Sequence, residues 1–230
     1  GLAEYGCFDV NACTPLPDAM PFDEAAAFQV AFGTSHVALA YKARLQPGET
    51  LVVLGASGGV GLTAIEVGKL MGAKVIAVAR GAEKLAVAAG KGADHLIDSE
   101  TADLKAEIRA LGGADVIYDP VGGAQFDAAI RACNPDGRVL VIGFASGDIP
   151  KPAANILMVK NITVIGFYWG GYMAFKPNVV TDSLMQLFEW HREGRITPHI
   201  SARFPLTQAT DALEYLRARK STGKVVVTME

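Results

Sequence analysis

The tightest constraint on this chain is the run Leu51-Val-Val-Leu-Gly55-Ala-Ser-Gly58-Gly59-Val-Gly61-Leu62. An apolar, β-branched stretch leads straight into clustered glycines, and a helical pattern follows through Met71. Strand, glycine turn and helix in that order have a physical purpose. The turn is tight, the backbone must approach a pyrophosphate closely, and the helix must pack on the strand. Free N–H groups at the positive end of the helix then attract phosphate. The spacing Ala56-x-Gly58-x-x-Gly61 is a degenerate form of G-x-G-x-x-G. The plainer reading is a glycine-rich turn without a ligand.

The surrounding pattern supports a nucleotide-binding sheet. Leu51–Leu54, Val75–Val78, His95–Ile97, Val116–Tyr118, Val139–Ile142 and Ile162–Ile165 are short apolar runs, as strands buried on both faces should be. Between them Val60–Met71, Glu83–Ala89, Ala102–Leu111 and Ala124–Cys133 have helical pattern. This alternation predicts a doubly wound parallel α/β sheet. On the flanks, Phe22–Leu45 predicts two helices broken near Gly33, with Asp23 as cap. Val180–Glu193 and Thr207–Arg219 predict helices, Val225–Thr228 a strand, and Asn11–Pro21 a linker. With half its residues apolar and 20% charged, the chain can bury a core and is not disordered. A net charge of −3 offers no chain-wide basic footprint for nucleic acid. Apolar stretches fall short of the ~18 residues of a membrane span. The first residues lack the basic start of a secretory leader. Cys7, Cys13 and Cys133 have no paired spacing and are expected as thiols in a reducing cytosol.

The second strand should end beside the adenosine ribose, where an NAD binder carries Asp or Glu about 20 residues beyond the glycines. Here the residues are Ala79-Arg80-Gly81. A guanidinium suits a phosphate, because its planar fork binds two oxygens at once. Lys84 adds a second charge four residues on. These residues favour NADPH over NADH, against the alternative that Arg80 is a solvated surface charge.

Gly55, Gly59 and Gly61 also fit the G-x-x-x-G-x-G of short-chain dehydrogenases, and Tyr172-x-x-x-Lys176 imitates that family's catalytic pair. That family carries its glycines near the N-terminus. Gly170-Gly171 before the Tyr and Pro177 after the Lys predict a loop rather than a helix. A longer set of motifs points elsewhere. It comprises Leu45-Gln-Pro-Gly-Glu-Thr50, Gly58-Gly-Val-Gly61, Gly92-Ala-Asp94, Tyr118-Asp-Pro-Val-Gly-Gly123, Asp136 through Gly147, Lys160-Asn-Ile-Thr-Val-Ile-Gly166 and Gly194-Arg-Ile-Thr-Pro-His199. In order and spacing the chain resembles the medium-chain dehydrogenase/reductase superfamily, in its zinc-independent quinone oxidoreductase (zeta-crystallin-like) branch.

The resemblance implies a Rossmann sheet with remnants of a GroES-like β domain at both termini, most of that domain having no counterpart here. Residues 1–21 would end the catalytic domain and form the linker. Residues 22–170 would bind the dinucleotide, 171–199 would complete that domain with helices, and 200–230 would return to the catalytic domain. It places the pyrophosphate on Ser57, Gly58, Gly59, Val60 and Gly61, and the 2′-phosphate on Arg80 and Lys84. Ser99 stands where many members have a Tyr beside the adenosine phosphate. Val121, Phe144, Ala145, Ser146 and Thr34 would frame the nicotinamide, in keeping with ligands at the carboxyl ends of strands. Zinc-dependent relatives carry a Cys where this chain has Val30, and His36, His95, His191 and His199 lack metal spacing, so no metal is expected.

The implied reaction is hydride transfer from NADPH to a quinone, or to an enone or 2-alkenal. The cofactor carries the chemistry and the protein positions it; no general acid is identifiable. The Phe167-Tyr168-Trp169 cluster is expected near the substrate opening, with Tyr168 and Trp169 as substrate contacts. Strand 162–165 would pair with its mate in a homodimer. The competing reading is a cofactor-binding module without turnover.

Overall fold

The computed structural model describes residues 2–10 and 13–229. Gly1, Asn11, Ala12 and Glu230, part of the expected terminal remnants and linker, lie outside the described residues. The core is a parallel sheet of six strands: β1 (Thr50–Val53), β2 (Lys74–Ala79), β3 (His95–Asp98), β4 (Ala114–Asp119), β5 (Cys133–Val141) and β6 (Thr163–Gly166). Their order is β3-β2-β1-β4-β5-β6. The connecting helices are α2 (Gly59–Leu70), α3 (Gly81–Gly90), α4 (Leu104–Ala110), α5 (Gly123–Ala132) and α6 (Ala154–Lys160). Helix α1 (Phe22–His36) precedes the sheet; α7 (Trp169–Phe175), α8 (Pro177–Arg192) and α9 (Ala209–Arg217) follow it. β7 (Ile200–Pro205) and β8 (Lys224–Thr228) pair as a separate two-stranded sheet.

Side chains alternate across a strand, so each strand feeds two cores. Leu51, Val53, Val75, Val116 and Tyr118 pack with Phe28, Phe32, Ile65 and Leu187 on one face. Val52, Leu54, Ile76, Val78 and Ile117 pack with Ile108, Phe126 and Ile130 on the other. The strand order reverses between β1 and β4, which opens a crevice at their carboxyl ends. Polar ties lie at the opposite, amino end. Arg138 donates to both Glu49 carboxylate oxygens at 2.9 and 2.5 Å, and Thr50 N–H donates to Asp115 at 2.8 Å.

Four expectations need correction. α1 is not broken near Gly33; it runs unbroken to His36 and passes into a π-helical turn, Val37–Lys42. The glycine makes room instead of a break, because a Cβ there would lie 2.8 Å from Trp169 Nε1. Asp23 is not the cap: Pro21 holds that position, and the Asp23 carboxylate accepts from Arg203 of β7 at 2.6 and 2.8 Å. Tyr172 lies in a helix, α7, not a loop. Its ring is buried against Phe167 and Phe175, while Lys176 donates to Tyr41 Oη at 2.8 Å, so the two form no catalytic pair. Finally, α5 stops at Ala132, and Cys133 already pairs with Ala114 in the sheet.

Candidate functional site

The glycine loop follows from its backbone. Gly55 has φ +57, a left-handed conformation that side chains resist. A Cβ on Gly61 would overlap the Gly55 carbonyl oxygen and sit 2.8 Å from Ala56 Cα. Only hydrogen therefore lets α2 start this close to β1. Ala56 N–H donates to Val78 O at 2.9 Å and Leu62 N–H to Gly58 O at 2.9 Å, which fixes the loop between strands and helix. No side chain caps α2 at Gly58, and uncapped first-turn donors suit an anion.

Above this loop lies a cavity of about 540 Å³. It brings together Ser57, Gly58, Arg80, Lys84, Ser99, Val121, Ala145 and Ser146 from the expected set. The structure does not place Ala56, Gly59, Val60 or Gly61 in its wall; Ala56 is fully buried beneath. Thr34 is buried within α1, Phe144 and Tyr168 face solvent, and Trp169 packs over Gly33, all four outside the cavity wall.

Backbone pairing sets the basic corner. Ser99 N–H donates to Ala79 O at 3.0 Å, so the residues after β2 and β3 lie side by side. The Asp98 carboxylate accepts from Gly81 and Glu100 N–H at 3.1 and 3.0 Å. Those bonds hold its pKa below the ordinary value and pin the start of α3. Lys84 is lowered from its ordinary value by partial burial, then by the charges of Arg80 and Arg219, with Glu100 opposing.

Arg219 is a residue that sequence reasoning missed, along with Leu216 and Ser221, all lining the cavity. It sits at φ 55; its carbonyl accepts from Lys84 Nζ at 2.9 Å and its guanidinium donates to Ala145 O at 3.3 Å. The segment is fastened to the glycine loop, because Gly223 N–H donates to Ser57 O at 2.8 Å. The available signal was the basic run Arg217-Ala-Arg-Lys220 just before Gly223.

Across the cavity, β4 ends in a turn built by Asp119. Its Oδ1 accepts from Val121 and Gly122 N–H at 2.7 and 2.9 Å, while burial raises its carboxyl pKa. Two buried polar atoms of cavity-lining residues, Ser99 Oγ and Gln125 Oε1, have no hydrogen-bond partner. Unpaired buried groups are costly, which favours a polar ligand here. Beneath the loop, Ser35 Oγ lies 2.7 Å from Thr63 Oγ1 and 3.1 Å from Tyr118 Oη, and its hydroxyl reaches Val60 O at 3.1 Å.

Residues 59–189 match the zinc-binding dehydrogenase family. The chain belongs to that family. Its quinone oxidoreductase-like relatives place it in the medium-chain superfamily that the motifs resemble. Quinone oxidoreductase-like protein 2 of Bos taurus is 38% identical over all of this chain and 67% of its own length. The homolog from Nematostella vectensis is 37% identical over 99% of this chain and 63% of its own length. The chain thus spans about two thirds of these family members. Among solved structures, the quinone oxidoreductase of Thermus thermophilus, described with its NADPH complex, superposes with TM-score 0.87, 33% identity, and coverage of 100% of this chain and 74% of that one. The Escherichia coli quinone oxidoreductase complexed with NADPH gives TM-score 0.87, 26% identity, and coverage of 95% and 69%.

Proposed function

We propose that this chain is the cofactor-binding part of an NADPH-dependent, zinc-independent oxidoreductase that reduces a quinone or a similarly electron-poor acceptor. One observation carries the reading: Arg80 and Lys84 stand with Ser99 by the end of β2, where an NAD binder would offer a carboxylate, and Arg219 lines the same cavity with its carbonyl on Lys84 Nζ. These cations hold the 2′-phosphate. Ser57 and Gly58, with the first turn of α2, hold the pyrophosphate. Val121, Phe144, Ala145, Ser146 and Thr34 border the nicotinamide. When bound, NADPH supplies the hydride; the residues of this chain orient it and shield one side from water. The relatives named for quinone oxidoreduction support the acceptor class.

Zinc independence rests on donor chemistry. Val30, at the position where the family resemblance puts a Cys ligand, has no donor atom. His36, His191 and His199 engage Ser183, Glu24 and Thr222 at 2.8, 2.7 and 2.9 Å. β6 is one of the sheet's two edges, and an open edge favours pairing with a second copy. A sedimentation profile showing only monomer at micromolar concentration counts against that dimer.

The test is titration with NADPH and NADH by nicotinamide fluorescence, for wild type and Arg80→Ala. Charge-assisted bonds to the phosphate predict an NADPH preference of about ten- to hundred-fold that collapses in the variant. Equal affinities in wild type overturn the reading. Loss of NADPH absorbance with a quinone panel then separates turnover from binding alone, and turnover with alkenals but not quinones assigns an enone reductase.

A further inference from the structure

The stretch between α9 and β8 passes the basic corner with its side chains sorted to two sides. Arg219 and Ser221 line the nucleotide cavity. Lys220 borders a separate hollow with Phe204, Asp211 and Tyr215, and Thr222 Oγ1 lies 2.9 Å from His199 Nε2. This alternation is that of an extended chain, and it turns Ser221 toward the cavity. Ser221 is half-buried, and its hydroxyl has no hydrogen-bond partner among the described residues. Three cations, Arg80, Lys84 and Arg219, line the same cavity against one carboxylate, Asp148. The Arg80 side chain has no hydrogen bond or ion pair among the described residues, so its charge is uncompensated. Lys84 Nζ is held on Arg219 O at 2.9 Å. Two residues of chain span at most about 7 Å, so Ser221 stands close to that pair. The approach from outside is open and basic, because Arg217, Arg219 and Lys220 precede Ser221 and are all exposed.

We propose that Ser221 is a phosphorylation site for a kinase that reads basic residues ahead of its target, and that the phosphoserine occupies the phosphate corner and shuts NADPH out. The inference rests on the NADPH reading above and adds a regulation of that site. Kinases select substrates by such charge patterns. In the transfer, Ser221 Oγ bonds to the γ-phosphorus of MgATP while the bond from that phosphorus to the bridging oxygen breaks. ADP leaves, and the hydroxyl proton passes to the kinase's base. At neutral pH the product carries nearly two negative charges and strong acceptor oxygens. It therefore offers the Arg80 fork and the Lys84 ammonium what a ribose 2′-phosphate offers them. Tethered by its own chain, it competes at an effective concentration of roughly millimolar or more.

The experiment has two arms. In the first, wild type and Ser221→Ala are incubated with MgATP and the catalytic subunit of cyclic-AMP-dependent protein kinase, and their peptides are analysed by mass spectrometry. One phosphate on Ser221, absent from Ser221→Ala, is expected. No phosphate, or phosphate only on Thr222, overturns the inference. In the second, protein with phosphoserine encoded at 221 is titrated with NADPH and NADH by fluorescence, and its phosphorus resonance is followed against pH. NADPH affinity should fall about a hundred-fold and NADH affinity less than about five-fold. The phosphoserine should titrate below its ordinary value of about 6, because neighbouring cations favour the dianion, and should return toward it in Arg80→Ala. Unchanged NADPH affinity, or titration at the ordinary value, overturns the inference and leaves the cofactor reading standing. Equal NADPH and NADH affinities in the unmodified protein overturn the cofactor reading, and the phosphorus titration tells that failure from a phosphoserine that misses the corner.

Discussion

The two halves of the sheet's carboxyl edge are built differently. Above β2, β1 and β4 the cavity is walled by the glycine loop, by the turn carrying Arg80 and Lys84, and by Leu216, Arg219 and Ser221 from near the C-terminal end. Beyond the cavity, at Phe144 after β5 and Tyr168 after β6, the surface is open: Phe144 is 46% exposed and Tyr168 78%. The walled half has charges and orphaned polar atoms that suit an adenosine phosphate. The open half has aromatic surface with no comparable polar set. The proposed function accordingly puts nucleotide affinity in the first half and choice of acceptor in the second.

Substitutions in the two halves should separate these properties. The largest effect is expected from Gly61→Val, whose side chain would collide with Gly55 and Ala56. NADPH affinity should fall on the order of a hundred-fold, because the donors shift away from the pyrophosphate, and the melting temperature should drop. Unchanged affinity by titration would remove the glycine loop from the site. Next, Arg219→Ala should weaken NADPH about ten-fold and leave NADH nearly unchanged. A parallel loss of both would show that the residue only props the wall. Ser35→Ala removes one member of the buried hydroxyl cluster and should cost about 1–2 kcal/mol in urea melts. Smallest of all, Tyr168→Ala should leave NADPH affinity within about two-fold, while the KM for acceptor rises. A strong effect on NADPH binding there would erase the division.

Much of the walled half was legible in the sequence. Glycines at 55 and 61 announce a conformational and steric need that no other residue meets, and Arg80 stands where the register of β2 places it. The strands were legible because burial on both faces leaves continuous apolar runs. Arg219, Leu216 and Ser221 were not, because their place depends on a turn docking far from them in sequence, through Gly223 and Ser57. Gly33 misled for a related reason. A glycine in a helix reads as a break, yet here its missing Cβ accommodates the Trp169 indole, a contact across 136 positions (169 − 33) that no local pattern encodes. Tyr172 misled likewise, since Pro177 starts α8 rather than only ending the preceding segment.

The stitch between Gly223 and Ser57 also orders events in time. During synthesis the N-terminal part of a chain can collapse first, so β1 and its glycine turn emerge long before the outer wall of their cavity does. Until the stretch around Gly223 docks, the phosphate corner lacks Arg219. Tight nucleotide capture by a growing polypeptide would then mark the moment at which the Gly223 stretch closes onto the glycine turn.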